Sequence, residues 1–202
     1  MQLSEIIHTQ KKVGTPADGF WGPKSIAACQ KYLKSLMPSP HPFPVEGSRE
    51  FIDFYGAAGQ KSGYAPPTKK VALPFSVYYL NITVNFLWPH EKCANSLKRV
   101  FERLAEVYPT TESRQRSGLL TYNGLYNPRK KLGSRSSMSM HSWAVAIDIN
   151  AGKNGNKTAW PVRATMPIEI MECFAQEGWL SAGAFWGRDA MHMQATAPPN
   201  PE

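Results

Sequence analysis

Apolar positions recur at helical spacing in four stretches of the chain. Leu3 to Gln10 predicts a short helix. A second helix is expected from Pro23 or Lys24 to about Leu36, with Ile26, Cys29, Tyr32, Leu33 and Leu36 toward a core and proline at its start. From Glu91 to Tyr108, Ala94, Leu97, Val100, Phe101, Leu104 and Val107 fall three and four apart, the pattern of an amphipathic helix. Pro167 to Gly178 predicts a fourth, with Pro167 suited to its first turn and Gly178 to its C-cap. Val77 to Phe86, rich in Val, Tyr, Ile, Thr and Phe, predicts one strand ended by Trp88 and Pro89. Val145 to Ile149 alternates, so a strand there sets Val145, Ile147 and Ile149 on one face and Asp148 on the other, beside small alanines. Gly152 to Lys157 is a turn-rich loop.

Prolines at 38, 40, 42 and 44 forbid a helix and favour an extended, semi-rigid spacer. The chain therefore divides into a helical module over 1–37, a proline-rich linker over 38–50 and a main domain over 51–197. A unit under about 40 residues rarely folds alone, so the module is expected to pack against the main domain. Mixed helices and strands indicate an α+β class, a small antiparallel sheet with flanking helices.

Composition is that of a globular protein: 202 residues, 42% hydrophobic and 19% charged. The net charge of +8 is not ordinary and favours an anionic partner. Nucleic acid, an anionic lipid surface and a bacterial wall with acidic stem peptides all qualify, but no nucleic-acid motif accompanies the charge. Basic residues are scattered except for Arg129, Lys130, Lys131 and Arg135, a loop that either flanks a cleft for an acidic peptide or is simply solvated. Met1 to Lys12 has no continuous apolar core or cleavage site, and no run approaches a membrane span. Synthesis in a cytoplasm and no membrane insertion are expected. Cys29, Cys93 and Cys173 lie far apart and read as reduced, buried small hydrophobes; a thiol nucleophile is the alternative, though none adjoins a histidine.

The chemistry concentrates in Ser139-Met140-His141-Ser142-Trp143-Ala144-Val145-Ala146-Ile147-Asp148 and in Asp189-Ala190-Met191-His192. A catalytic zinc takes three protein ligands and leaves a position for water. His141, Asp148 and His192 can fill the three places, and Asp189 can act as base. An acid in the centre of an apolar strand is costly to bury without a partner, and a metal would be one. Asp189 and His192, three apart, share a face if they lie on one helical turn. The alternative is that His141 caps a strand, Asp148 pairs with an arginine and His192 is a surface imidazole. His41 and His90 adjoin prolines without a ligand partner and stay outside the site. Trp179, Phe185 and Trp186 either wall the cleft or fill core.

These segments resemble the SxHxxGxAxD and DxxH patterns of the M15 (VanY-like) zinc metallopeptidases, and within them the phage endolysin branch of L-alanyl-D-glutamate endopeptidases and D-Ala-D-Ala carboxypeptidase relatives. The likeness runs from about Phe54 to Gln194 and includes Gly118 to Arg129. It implies a hedgehog/D-Ala-D-Ala peptidase-like fold, with Zn2+ on His141, Asp148 and His192 and Asp189 as general base. It also implies that Arg129 contacts the substrate carbonyl or carboxylate. On the residues themselves, Arg129 is expected to stabilise the oxyanion, Ser139 to position the first-histidine loop, and Ser139 and Trp186 to join Arg129 in binding substrate. Two departures stand out: the family glycine is Ala144, and Met193 follows the second histidine where an aromatic is usual. Asp18-Gly19-Phe20-Trp21-Gly22-Pro23-Lys24-Ser25 resembles the turn of a three-helix peptidoglycan-binding module.

The function implied is that of a phage-type endolysin. It would hydrolyse an amide of the stem peptide, L-Ala-D-Glu by preference, as a monomer that reaches the wall once the membrane is opened. Alternatives are a D-Ala-D-Ala or cross-link peptidase of the same fold, or an inactive wall-binding relative.

Overall fold

The computed structural model describes residues 3–199, so Met1 and Gln2 of the expected module lie outside the described residues. The chain opens with α1 (Leu3–Val13) and α2 (Pro23–Leu36). Gln10 is buried between them and organises the intervening turn: its amide donates to Asp18 Oδ1 and the Phe20 carbonyl, and its carbonyl accepts from Gly19 N. Cys29 and Leu33 of α2 are fully buried, whereas Ile26, expected toward the core, is 37% exposed. The proline segment does not stand off as a spacer. Phe43 is buried and packs edge-on against Trp179, because an aromatic side chain in an extended strap gains more by burial than by solvation. Helix α3 (Arg49–Tyr55) follows, with the Ser48 hydroxyl accepting from Phe51 N at its start.

The stretch expected as one strand is part of a hairpin of β1 (Val71–Tyr79) and β2 (Ile82–Leu87), antiparallel, with Tyr79 opposite Ile82. Leu80 and Asn81 form the turn, and Leu80 takes φ +53. Residue propensity marked both arms as strand but missed this turn, which lacks glycine. Helix α4 (Glu91–Val107) matches the periodic segment, is capped by the His90 ring accepting from Lys92 N, and packs on β1. Of its expected core positions, Val107 alone stays open, at 46% exposure. Helix α5 (Thr111–Ser117) has a Thr110–Ser113 capping box and ends at Gly118, φ +79.

The second sheet is built from β3 (Tyr122–Gly124), β4 (Ala146–Ile149), β5 (Leu180–Ser181) and β6 (His192–Gln194), in the order β3-β4-β6-β5 and all antiparallel. This is an α+β fold. A 3₁₀ turn (Met140–Trp143) precedes β4, and α6 (Ala151–Asn154) follows it inside the stretch expected as loop. Helix α7 (Ile168–Ala175) is shorter than expected: Pro167 is its N-cap rather than its first helical residue, and Gly178, φ +81, lies beyond its end. Helix α8 (Ala182–Trp186) closes the path back to β6.

Helix α2 packs on α7 and α8, and α4 packs on α7, so one core runs from the first helices to the sheet. Lys12 bridges Glu169 and Glu172, Tyr32 donates to Glu172, and Trp21 meets Trp160 edge-on at 5.3 Å. The three cysteines are buried free thiols; burial pushes Cys29 and Cys173 up to about 12, which leaves them protonated and unsuited to nucleophilic attack.

Candidate metal centre

The register of β4 on β6 sets Asp148 directly opposite His192. Paired residues of an antiparallel ladder share a face, so the carboxylate and imidazole meet while Ile147 and Met193 point into the core behind them. His141 arrives from the 3₁₀ turn. That turn is closed by Ala144, which adopts φ +55 and redirects the chain into β4. The three side chains are buried together: His141 Nε2 lies 3.2 Å from Asp148 Oδ2, His192 Nδ1 lies 3.1 Å from Asp148 Oδ1, and the two ring nitrogens are 3.2 Å apart.

The outer nitrogens of both rings are spoken for. His141 Nδ1 is 2.7 Å from the Leu125 carbonyl, which can only accept, so that nitrogen carries the hydrogen. His192 Nε2 is 3.0 Å from Gln194 Oε1. The Gln194 amide nitrogen already donates to Glu46 Oε2 and Thr196 Oγ1, so its oxygen must face the ring and accept. The inner nitrogens are thereby left with lone pairs aimed at each other and at a carboxylate. Three acceptors at such distances repel unless a cation lies among them. Tetrahedral zinc with bonds of ~2.0–2.1 Å has ligand–ligand edges of about 3.3 Å, close to the separations seen, and two imidazoles with one carboxylate are a usual zinc donor set. The residues present fit the metal. In the metal-free protein a proton can take the cation's place: burial pushes the Asp148 carboxyl up, but hydrogen bonds from protonated His141 and His192 and their charge override it and hold Asp148 well below the usual carboxylate range. Burial disfavours a charged His192, yet its bond to Asp148 and the nearby carboxylates raise it.

Asp189 does not lie on a helical turn with His192. The two bracket a tight turn in which His192 N donates to the Asp189 carbonyl at 2.9 Å, and Asp189 sits at φ +61, tolerable for aspartate. The turn, rather than a helix, lets the next three residues enter β6 as a strand. Asp189 Oδ1 is buried without a hydrogen-bond partner in the protein. Burial, and the charge of Asp148, raise its pKa above the ordinary carboxylate value. An unpartnered, hard-to-ionise carboxylate beside a metal centre is what a proton acceptor for water requires.

Two cavities meet at the centre. One, about 500 Å³, is lined by His141, Asp148 and the aromatic face of the hairpin. The other, about 780 Å³, is lined by His192, Asp189, Ser139, Trp186, Lys130, Lys131 and Arg188. Arg129 lines both, as a residue between them would. Its guanidinium is exposed and donates only a long bond, 3.4 Å, to the Lys130 carbonyl. Its backbone is clipped by Ser142, whose hydroxyl accepts from Arg129 N and donates to Arg129 O, each at 3.0 Å. Ser139 is buried and supports the same loop through its backbone amide, which donates to Arg129 O; its hydroxyl caps nothing at the 3₁₀ turn. The Trp186 ring stacks on His192 at 5.7 Å. Trp179 is core.

The sequence reading missed Gln194, Glu46, Ser142 and the Leu125 carbonyl. Gln194 was findable, since the residue two beyond a ligand on a strand shares its face; a backbone carbonyl leaves no such trace.

Residues 132–195 match the family model for D-alanyl-D-alanine carboxypeptidase. The match spans His141, Asp148, Asp189 and His192, begins after Arg129, and supports a peptidase that acts on peptidoglycan. No curated protein and no solved structure matches the chain significantly. Among the described residues no helix is long and apolar enough to cross a membrane.

Proposed function

We propose that this protein is a zinc peptidase of the bacterial wall, of the kind phage endolysins carry, and that it hydrolyses the L-Ala-D-Glu amide of the stem peptide. The observation that carries the reaction class is the convergence of the inner lone pairs of His141 and His192 on Asp148, with the unpartnered Asp189 carboxylate alongside. Zinc held by those three side chains supplies Lewis-acid chemistry, activating water and polarising an amide carbonyl. Asp189 takes the water proton at Oδ1 and hands it to the departing amine. Arg129, exposed where both cavities meet, offers its guanidinium to the charge that develops on the carbonyl oxygen. Trp186, stacked on His192, keeps that ring in place and water off one side of it.

The preference for L-Ala-D-Glu is supported by the charge of the two cavities. Asp189 serves the leaving amine and lines only the basic one, so that cavity takes the amine side of the cut. Arg188 there is held by neutral Asn156 at 2.8 Å, and its charge also acts on the neighbouring Asp189. The opposite cavity has no charged lining apart from the centre itself and Arg129. A bond with an uncharged acyl side and a carboxylate on the amine side suits this pair; D-Glu and a terminal D-Ala both place a free carboxylate beside the amide nitrogen, and it is the neutral muramoyl-L-alanyl acyl side that favours L-Ala-D-Glu. Digestion of purified peptidoglycan followed by mass spectrometry tests the reading: new amino-terminal D-Glu is expected, and release of D-Ala alone would overturn it. Wall binding by the turn from Asp18 to Ser25 belongs to the same proposal, with Phe20, 72% exposed, as its contact residue.

A further inference from the structure

We infer that the aromatic face of the β1–β2 hairpin is a saccharide subsite, which takes the N-acetylmuramoyl ring that precedes the stem peptide. This rests on the L-Ala-D-Glu reading. Alternation along β2 sends Ile82, Val84 and Phe86, and Trp88 just beyond it, to one face, and all four line the smaller cavity together with Tyr79 and Tyr126. At ~3.3 Å per residue the strip is about 20 Å long, and it flanks the cavity that His141 and Asp148 also line. Large apolar side chains are left open along it: Ile82 at 63%, Trp88 at 54% and Phe86 at 45% exposure. The Lys70 ammonium lies 3.8 Å over the Phe86 ring and 6.0 Å from Trp88, so the aromatic end of the strip is braced by a cation.

The occupant follows from continuity with the reaction centre. The cavity reaches His141 and Asp148, on the side away from Asp189, and therefore holds the acyl side of the scissile amide. If that amide is L-Ala-D-Glu, a single small residue precedes it, and anything farther along the groove is sugar. The lining suits an uncharged ring with polar edges. Flat aromatic faces cover its C–H faces, while Asn127 and the hydroxyls of Tyr79 and Tyr126 are available to its hydroxyl and acetamido groups. A purely aliphatic ligand would leave those polar groups unmatched.

The test compares an L-Ala-D-Glu peptide with the same peptide carrying N-acetylmuramic acid, using zinc-loaded wild type, Trp88→Ala and Trp88→Phe. A kcat/KM preference of about tenfold for the muramoyl peptide is expected, equivalent to ~1.4 kcal/mol. The preference should fall to within about twofold in Trp88→Ala and largely survive in Trp88→Phe. Equal turnover of the two substrates by wild type would overturn the subsite, as would a preference untouched in a folded Trp88→Ala, Phe86→Ala double variant. Product masses report separately on the bond. If D-Ala is released instead, binding of an N-acetylglucosamine tetramer, followed by titration calorimetry, still judges the subsite: saturable binding lost in Trp88→Ala upholds it without the L-Ala-D-Glu reading, and no binding by wild type rejects it.

Discussion

Gln194 accepts from His192 Nε2 at 3.0 Å and thereby leaves Nδ1 of that ring as the nitrogen available to a metal. The strand geometry enforces this, because residues two apart on β6 share a face. Gln194→Leu keeps the bulk but releases the ring to rotate or change tautomer, so zinc affinity is expected to fall about 10- to 100-fold, the usual cost of losing such a support. Competition with a chromophoric chelator measures it. An unchanged affinity would mean that packing against Trp186 alone fixes the imidazole.

What could be read in the sequence was whatever leaves a side-chain pattern. The α4 periodicity, the proline start of α2 and the alternation around Asp148 all located their elements, and the two short motifs named the residues that the fold brings together. The pairing of Asp148 with His192 was not legible, because it depends on the register of two strands more than forty residues apart. The position of Asp189 in a turn was hidden for a related reason: a three-residue separation suits a helix and a tight turn equally. The cavity walls also escaped, since the hairpin turn at Leu80 and Asn81 carries no glycine to announce it.

Ala144 stands where the resembled pattern has glycine, and its φ of +55 shows why glycine is favoured there. Relief of the left-handed strain, about 1–2 kcal/mol, is opposed in Ala144→Gly by the added chain entropy, ~0.5–1 kcal/mol, and by loss of a fully buried methyl, ~0.8 kcal/mol. Near-neutrality is expected, with a melting shift of no more than about 4 °C. Ala144→Val adds β-branching and bulk to the same strained, closed position and is expected to cost more than about 2 kcal/mol. Thermal melting of the two variants separates strain from packing.

Stability should respond to pH in opposite ways with and without zinc. His192 has a raised pKa in the fold, so its contribution is present below the unfolded value of about 6.5 and is lost as pH rises through the folded one. Asp189, also raised, acts in the same direction at lower pH; Asp148, depressed, contributes above about 3.9 and loses this only in strong acid. Chelator-treated protein is therefore expected to melt higher at pH 6 than at pH 8. Zinc must displace the His192 proton, so the melting gain on adding zinc should grow over the same interval. Equal gains at both pH values would show that metal and proton do not compete there.

Removing residues 1–37 should damage more than wall binding. Cys29 and Leu33 are fully buried against α7 and α8, and Lys12 and Tyr32 satisfy Glu172. The truncation opens that core and strands a carboxylate, so a large loss of melting temperature or insolubility is expected. Phe20→Ala is the cleaner probe of wall affinity, because the side chain is 72% exposed and its loss leaves the Gln10 network in place. Sedimentation with purified peptidoglycan should weaken in a Phe20→Ala protein that melts like wild type; unchanged sedimentation would remove the turn from wall recognition.

The metal can be separated from the chemistry by one pair of substitutions. His141, Asp148 and His192 supply the converging atoms, so replacing any of them with Ala should lower zinc content and also melting temperature, because metal binding adds to folding free energy. Asp189→Asn is different. Asparagine tolerates the φ of +61 that Asp189 adopts, so the turn into β6 and the position of His192 should persist. What is lost is the proton acceptor at a buried, unpartnered oxygen. Zinc should stay near one per chain while turnover falls by roughly 10²- to 10⁴-fold, the span usual for a general base. Metal analysis and amine release on the same preparations decide the matter: loss of zinc from Asp189→Asn would make Asp189 a ligand, and near-full activity would take it out of the mechanism.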